Sequence, residues 1–473
     1  MTRKWWTLTA VVLATFMLLL DITVVNTALP KLEKGLGASF TDLQWVIDIY
    51  SLALATVVLT AGALADRFGR RRAFIAGLVV FSAASLACGL APSADFLIAA
   101  RAVQGIGGAI MFAISLALVA QEFPSGRERG TAMAIYGATI GVAVAVGPLV
   151  GGALTQSLGW ASVFFLNVPI GAVALAITFV NVAESRDPNA QRPDWPGVAT
   201  FSAALFMLVF ALLRGNAEGW GSTTIVALLA GATAMLAAFV AIERRSAEPM
   251  LPLELFRNRA FTGVQIAAFA ISASLFALFL YLTLYLQEVL HLSPFDTGLV
   301  YLPGTIVMFV VSAASAQLAD RTSPGALIGG GLILVAGGLA LMTFADAHST
   351  WLALLPGLLV VCIGTGLVNP ALASVALGSV DGTQSGLAAG INDAFRQGGI
   401  AVGVAAFGAL FSTGGALGNG SPQAYVTDLR HALLIGAALA LVGGIATSGL
   451  ISTRRTAGRT QPVAAIEPVA ELG

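Results

Sequence analysis

Three ionisable side chains that stand inside long apolar stretches are the first candidates for chemistry: Asp21, Asp48 and Arg101. A charged residue at the centre of a membrane helix costs about 2.5–3.5 kcal/mol on insertion scales, so it marks a functional site by default. Burial opposes ionisation of a carboxylate, and a nearby arginine favours it. A carboxylate under both influences can take up and release a proton. These residues therefore predict a site of proton coupling.

Depth brings the three residues to one level of the molecule. With a helical rise of about 1.5 Å per residue, Asp21 lies about 12 Å from the end of the first apolar stretch at Leu29. Asp48 lies about 6 Å into the second stretch and Arg101 about 9 Å into the fourth, both counted from the same face. We therefore predict that Asp21 pairs with Arg101, directly or through water or polar neighbours. The alternatives are a structural ion pair or helix cap at Asp21 and a solvated vestibule residue at Asp48.

A second pair of charges, Asp393 and Arg396, lies three residues apart and therefore shares one helix face. These charges either neutralise each other or take part in binding a substrate or a proton. Polar and aromatic residues of other apolar stretches join them in a candidate substrate-binding set: Asp21, Asp48, Tyr50, Gln104, Tyr136, Asn392, Asp393 and Arg396. An apolar, aromatic cavity with few carboxylates favours bulky lipophilic cations.

The elements that carry these residues are membrane helices. The chain has 473 residues, of which 57% are hydrophobic and only 10% are charged, whereas soluble domains have about 25% charged residues. A span requires about 20 apolar residues. The pattern therefore predicts an all-α polytopic membrane protein with about fourteen transmembrane helices. The predicted helices are Trp6–Leu29, Gln44–Ala65, Ala73–Leu90, Phe96–Ala120, Thr131–Leu154, Phe164–Val182, Gly197–Leu213, Thr223–Ile242, Phe261–Val289, Gly298–Ala319, Ala326–Ala345, Trp351–Leu377, Ser385–Ser412 and His431–Ser452.

The distribution of positive charge orients these helices. An even number of spans places eighteen of the 24 Lys and Arg residues on the side of both termini, including the four arginines of residues 67–72. Four basic residues fall on the other side, and two, Arg101 and Arg396, fall within spans. Cytoplasmic loops retain Lys and Arg. We therefore predict a multi-pass protein of the plasma (inner) membrane with both termini cytoplasmic.

The composition disfavours several classes of function. Basic and acidic residues number 24 each, so the charge predicts no nucleic-acid partner. The two cysteines lie in apolar stretches and the three histidines lie far apart, which predicts neither a disulfide framework nor a metal site. The motifs His-Glu-x-x-His, Gly-x-Ser-x-Gly and Gly-x-x-x-x-Gly-Lys-Ser/Thr do not occur, so we expect neither an enzyme nor ATP-driven transport, and no cofactor. A membrane-embedded enzyme and a channel are remote alternatives.

A short basic loop carries a family resemblance. Residues 62–72 read Gly-Ala-Leu-Ala-Asp-Arg-Phe-Gly-Arg-Arg-Arg, and this segment resembles the loop between the second and third spans of the major facilitator superfamily. Other runs resemble the fourteen-span drug:proton antiporters of that superfamily, which are multidrug exporters. These runs are Leu-Asp-Ile-Thr-Val-Val-Asn-Thr-Ala-Leu-Pro at 20–30, Arg-Ala-Val-Gln-Gly-Ile-Gly-Gly-Ala at 101–109, Gly-Pro-Leu-Val-Gly-Gly-Ala-Leu at 147–154 and Phe-Leu-Asn-Val-Pro-Ile-Gly at 165–171.

A degraded copy of the basic loop reveals internal duplication. Residues 316–321 read Ala-Gln-Leu-Ala-Asp-Arg. Aligning the two copies predicts two six-helix bundles with two inserted helices, which is the plan of the fourteen-span antiporters. The predicted units are an N-terminal bundle (1–183), an inserted helix pair with its flanking loops (184–259), a C-terminal bundle (260–452) and a disordered cytoplasmic tail (453–473).

The resemblance implies roles for two groups of residues. The first group would form a cytoplasmic gate, in which the aspartate grips the opposite half: Gly62, Asp66, Arg67, Gly69, Arg70 and Arg72. The second group would form the antiporter motif, for which ordinary close helix packing is the competing interpretation: Gly147, Pro148, Gly151 and Gly152.

The resemblance also implies a function. It implies proton-coupled export of hydrophobic, cationic drugs or toxic compounds by alternating access, with H⁺ as the coupling ion. The same fold could instead export an endogenous metabolite, a lipid or a self-made antibiotic. The expected partners are the lipid bilayer and a small lipophilic substrate, with no obligate protein partner.

Overall fold

Helices form the described part of the molecule. The computed structural model describes residues 2–123, 126–186, 193–319, 322–380, 385–411 and 421–451, and no strand occurs in these ranges. The long helices of this part are α1 (Arg3–Leu36), α2 (Phe40–Phe68), α3 (Arg70–Gly89), α4 (Ala94–Glu122), α5 (Gly126–Leu158), α6 (Ser162–Asn181), α7 (Trp195–Glu218), α8 (Thr223–Glu243), α9 (Arg259–Val289), α10 (Pro294–Ala319), α11 (Pro324–Met342), α12 (Leu355–Gly378), α13 (Ser385–Gly408) and α14 (Pro422–Leu450). Short 3₁₀ turns at Leu253–Arg257 and Trp351–Ala353 precede α9 and α12.

Most of these helices are suited to a membrane. Within the described ranges, thirteen are long and apolar enough to span it when the bent α5 counts as one. The remaining long helix, α13, has 24 residues. Four polar residues between Asn392 and Gln397 lower its hydropathy. The prediction of an all-α polytopic protein is confirmed, with thirteen candidate spans in the described ranges against the predicted count of about fourteen.

Several helices extend beyond their predicted ends. Helix α1 continues through Pro30 to Leu36. Helix α14 begins at Pro422 and not at the predicted His431, because the Ser421 side chain accepts a hydrogen bond from Ala424 N at 3.2 Å and caps the helix. The predicted ends of the last two spans at residues 412 and 452, the tail 453–473 and two residues of the loop copy, 320–321, lie outside the described residues.

Two helices depart from regular geometry. Helix α5 bends by 42° between Ala143 and Ala145. Pro148 follows this bend by about one turn and cannot donate a backbone hydrogen bond, which explains the bend. Helix α9 contains two π-helical turns, Ser272–Phe276 and Tyr285–Val289, and such turns are frequent at functional sites.

The helices pack into two halves that meet along two seams. Helices α1–α6 contact one another in the first half, and α9–α14 contact one another in the second. The halves meet where α5 packs against α10 and where α2 packs against α13. Helix α7 packs against both α2 and α13, and α8 packs against α7. The inserted pair therefore lies beside the α2–α13 seam, while the predicted domain limits stay predictions.

The two halves are joined closely at one end of the bundle. We call the end with residues 62–72 the basic end and the end with Lys34 and Glu288 the opposite end. At the opposite end, Lys34 Nζ lies 3.0 Å from Glu288 Oε1 across the halves. Gln287 Nε2 donates to the backbone oxygen of Thr27 at 3.0 Å. These contacts join the two halves at the opposite end.

Candidate proton and substrate site

Asp21 of α1 and Arg101 of α4 form a buried ion pair. Arg101 Nη1 lies 2.5 Å from Asp21 Oδ2, and the exposed fractions of the two side chains are 2% and 0%. The pairing predicted from depth is therefore present, and it is direct.

Neutral side chains of α4 and α6 bond to the same carboxylate. Gln104 Nε2 and Asn167 Nδ2 donate to Asp21 Oδ1 at 2.9 and 2.7 Å. The same two amides donate to Ser85 Oγ at 3.1 and 2.9 Å. Ser85 in turn donates to the backbone oxygen of Phe164 at 2.9 Å. Both oxygens of Asp21 therefore have fixed partners.

The Arg101 guanidinium has further partners on α2 and α4. Its Nε donates to the backbone oxygen of Val46 at 3.1 Å, and its Nη1 also donates to Gln104 Oε1 at 2.8 Å. The guanidinium carbon lies 4.1 Å from the centroid of the Tyr50 ring, within the range of a cation–π contact. Among the described residues, Nη2 has no hydrogen-bond partner.

Glycines in α4 make this close arrangement possible. A Cβ at Gly105 would lie 2.6 Å from the backbone oxygen of Tyr50, and a Cβ at Gly107 would lie 2.6 Å from the backbone nitrogen of Phe81. Real side chains do not reach such distances, so α4 approaches α2 and α3 only because these positions are glycine. The run at residues 101–109 therefore supplies both the charge and the close packing around it.

A cavity of about 70 Å³ lies between the halves beside the ion pair. Its walls come from α1, α2 and α4 of one half and from α9, α10, α12 and α13 of the other. Arg101 and Tyr50 line the cavity, whereas Asp21 does not. Pockets for small molecules usually have about 300–1,000 Å³. The cavity must therefore widen to hold a drug-sized compound.

Asp48 lies at the α2–α13 seam and away from the cavity wall. Its side chain is fully buried, and within the described residues neither carboxylate oxygen has a hydrogen-bond partner. One turn earlier, Gln44 Nε2 donates to Tyr281 Oη at 2.9 Å, and Tyr281 donates to the backbone oxygen of Val404. In this conformation Asp48 is therefore not a solvated vestibule residue.

Asp393 and Arg396 do not form an ion pair within the described residues. Asp393 is 8% exposed, and its Oδ2 has no partner there. The Arg396 guanidinium lies 5.8 Å from the centroid of the Phe276 ring. Mutual neutralisation by a direct ion pair is therefore not seen.

The predicted substrate-binding set is divided by the structure. Three of its members lie at the ion pair, Asp21, Tyr50 and Gln104, and of these three Tyr50 lines the cavity. The remaining members do not line the cavity: Asp48, Tyr136, Asn392, Asp393 and Arg396.

The glycines of the antiporter motif lie at helix contacts. A side chain at Gly147 would overlap Thr23 of α1, and Gly151 packs closely against the same helix. Gly152 lies against the backbone of Pro294 at the start of α10, in the other half. The motif therefore lets α5 pack closely against both halves, and this agrees with the packing interpretation.

The basic loop at residues 62–72 bonds within its own half. Asp66 Oδ1 accepts a hydrogen bond from Arg70 Nε at 2.7 Å. Glu184, which follows α6, accepts one from the backbone nitrogen of Arg71 at 3.1 Å. The loop is thus tied to the segment after α6, and the gate role of its residues stays a prediction.

Sequence reasoning missed Asn167, Ser85 and Glu184. Asn167 lies within the run at 165–171, and an amide in an apolar stretch is a signal that could have identified it. Ser85 carried no comparable signal, because one hydroxyl is inexpensive to place in a helix where it can bond to backbone.

Two helical halves that enclose a cavity with buried charges are typical of secondary transporters. The model of the Major Facilitator Superfamily matches residues 11–404. The chain therefore belongs to this superfamily, and it is a multi-pass membrane protein.

Similar proteins include two that are named for resistance. The chain is 36% identical over 406 residues to the multidrug resistance protein Stp of Mycobacterium tuberculosis (strain CDC 1551 / Oshkosh), covering 86% of this chain and 75% of Stp. It is 37% identical over 430 residues to the puromycin resistance protein pur8 of Streptomyces alboniger, covering 90% of this chain and 84% of pur8. The crystal structure of the human organic anion transporter MFSD10 shares the fold, with a TM-score of 0.64 and 17% identity, covering 94% of this chain and 99% of that chain.

Proposed function

We propose that this chain is a proton-coupled exporter of lipophilic drugs or antibiotics that works by alternating access. The observation that carries the proposal is the Asp21–Arg101 ion pair at the wall of a cavity between two halves. Similarity to resistance proteins supports drug export as the direction of transport. The proposal includes no enzymatic activity, cofactor, nucleic acid or obligate protein partner.

In this proposal Asp21 binds the coupling proton. Protonation of Asp21 removes the charge that holds Arg101 Nη1 at 2.5 Å. Because the guanidinium also lines the cavity, its release changes the substrate site. A substrate that requires the guanidinium in its held position then opposes protonation. Such opposed binding is what exchange of a proton for a substrate requires.

Asp48 is a second proton carrier in this proposal. A carboxylate that reaches neither solvent nor a donor is buried at least cost in its protonated form. Since Asp48 lies where α2 meets the other half, separation of the halves at the opposite end would bring it toward solvent.

The proposed orientation places the basic end and both termini in the cytoplasm of a bacterial plasma membrane, in accord with the positive-inside rule. The contact between Lys34 and Glu288 then closes an extracellular gate. A proton that enters the cytoplasm down a potential of about 100 mV releases about 2.3 kcal/mol per charge, which drives export without ATP.

Efflux from intact cells tests the proposal. Cells that express the chain are loaded with Nile red while de-energised and are then re-energised with glucose. We expect faster loss of dye than from cells with an empty vector, and we expect nigericin, which dissipates the pH gradient, to abolish the difference. Equal loss of dye from both kinds of cell would contradict export.

A further inference from the structure

The wall of the central cavity carries a positive charge and no negative charge among the described residues. Arg101 is the one lining residue with a charge at neutral pH among the described residues. The three acidic residues of the neighbouring helices, Asp21, Asp48 and Asp393, do not line the cavity. A cation in the cavity would therefore meet a guanidinium and no carboxylate.

The aromatic rings of the wall already have partners. The Tyr50 ring lies 4.1 Å from the Arg101 guanidinium, and the Phe276 ring lies 5.8 Å from the Arg396 guanidinium. The third ring, Phe279, stacks on a tyrosine of α10 at a centroid distance of 4.4 Å. Ring faces attract cations, but here two of them already hold a protein cation. The ring faces that hold these guanidinium groups are therefore not open to a lipophilic cation.

The Arg101 side chain retains an unused donor at the cavity. Its Nε and Nη1 bond to Val46, Asp21 and Gln104, whereas its Nη2 has no partner among the described residues. The Nη2 group can donate two hydrogen bonds, and no described residue accepts them. An acceptor oxygen of a bound molecule would satisfy it, and the apolar remainder of the wall suits a lipophilic body.

We propose that the cavity binds uncharged lipophilic compounds whose acceptor oxygen takes a hydrogen bond from Arg101 Nη2. This inference rests on the proposed function and names its substrate class, which differs from the cations that the sequence favours. A cation is opposed by the like charge of Arg101. An uncharged compound avoids that repulsion and still gains the hydrogen bond.

Proton linkage separates uncharged compounds from anions. Protonation of Asp21 would leave the charge of Arg101 unbalanced and so strengthen the binding of an anion. By reciprocity the anion would then favour protonation, and a proton and substrate that favour each other are carried together. Exchange requires that the proton and the substrate oppose each other's binding. An uncharged acceptor permits this, because it binds the Arg101 guanidinium only in the position in which ionised Asp21 holds that group.

A matched pair of dyes tests the inference. Nile red carries a carbonyl oxygen on a phenoxazine ring system, and Nile blue carries a cationic iminium group in its place. In re-energised cells that express the chain, we expect initial export of Nile red to exceed that of Nile blue by about tenfold or more, since like-charge repulsion disfavours the cation.

A designed change of charge gives a second, independent readout. Met308 of α10 lines the cavity and lies outside the ion-pair network. Met308→Glu would place a carboxylate in the wall, whereas Met308→Gln has the same size without charge. We expect Met308→Glu to raise the ratio of Nile blue to Nile red export about tenfold and Met308→Gln to leave the ratio unchanged.

The outcomes distinguish this inference from the proposed function. Export of Nile blue as fast as Nile red by the natural sequence would overturn the uncharged substrate class and leave the exporter intact. Export of neither dye would overturn both. An equal change of the ratio in the two Met308 variants would show that size and not charge decides, and would also overturn the inference.

Discussion

Arg101 stands between Asp21 and the central cavity. Its Nη1 lies 2.5 Å from Asp21 Oδ2, while the Arg101 side chain forms part of the cavity wall that Asp21 does not reach. In the proposed mechanism, a compound bound in the cavity would therefore affect the carboxylate through the guanidinium. Arg101 would thereby link the protonation of Asp21 to substrate binding.

The two buried aspartates should respond differently to removal of charge. Asp21→Asn leaves Arg101 without its counter-charge, and loss of one partner of a buried pair costs about 3–5 kcal/mol. Asp48→Asn removes no hydrogen bond found in the described residues, so we expect a change below about 1 kcal/mol. Urea unfolding of the purified proteins in detergent measures both changes. Equal destabilisation by the two substitutions would contradict the different environments assigned to these residues.

Asn167 should set the pH dependence of export. Asn167→Ala removes the donor that lies 2.7 Å from Asp21 Oδ1. A hydrogen bond to a charged group contributes about 1.5–3 kcal/mol, so the pH of half-maximal export should rise by about one to two units. Asn181→Ala is the control, because Asn181 Nδ2 bonds only to Ile177 of its own helix among the described residues. An unchanged pH profile in Asn167→Ala would refute the positioning role.

Two glycines of α5 should differ in their tolerance of a methyl group. A Cβ at Gly151 would lie 2.8 Å from the backbone of Val24, whereas a Cβ at Gly137 has no neighbour within 4 Å among the described residues. Overpacking costs about 1–3 kcal/mol. We expect Gly151→Ala to reduce export and Gly137→Ala to retain it, as measured by dye efflux at matched expression. Full export by Gly151→Ala would show that the close contact between α1 and α5 is dispensable.

Helix α7 should hold the opposite end closed. Asn216 Nδ2 donates to the backbone oxygen of Ala409, just beyond α13, at 2.6 Å. Loss of this bond in Asn216→Ala costs about 1 kcal/mol, which should shift the conformational equilibrium about fivefold toward an open gate. Disulfide formation between Lys34→Cys and Glu288→Cys measures gate closure, and we expect a lower yield in Asn216→Ala.

A substitution on α8 controls for this effect. Thr233 Oγ1 bonds only to Leu229 of its own helix among the described residues, so Thr233→Ala should leave the disulfide yield unchanged. If the disulfide yield is as high with Asn216→Ala as with Asn216 retained, α7 does not control the gate.

The charged site was predictable because few residues in the apolar stretches carry charge. Depth alone brought Asp21 and Arg101 to one level, since helical rise converts residue number to distance. The neutral partners were harder to predict. Asn167 contacts Asp21 across 146 residues of sequence, and only the packing of α6 against α1 shows that contact.

The direction of individual side chains and the position of the inserted helices could not be predicted from the sequence pattern. Spacing placed Asp393 and Arg396 on one helix face, but packing turns the arginine toward Phe276. Helix α7 carries no charge pattern that would place it beside α2, where the Trp45 and Phe206 ring centroids lie 5.9 Å apart. Such contacts depend on which apolar faces meet, and many faces of similar composition compete for them.

Transport by the purified protein in liposomes under an imposed pH gradient tests the central claim most directly. With the gradient as the sole energy source, we predict uphill movement of Nile red by the natural sequence and downhill movement only by Asp21→Asn. Uphill transport by Asp21→Asn at the natural rate would contradict the assignment of the coupling proton to Asp21.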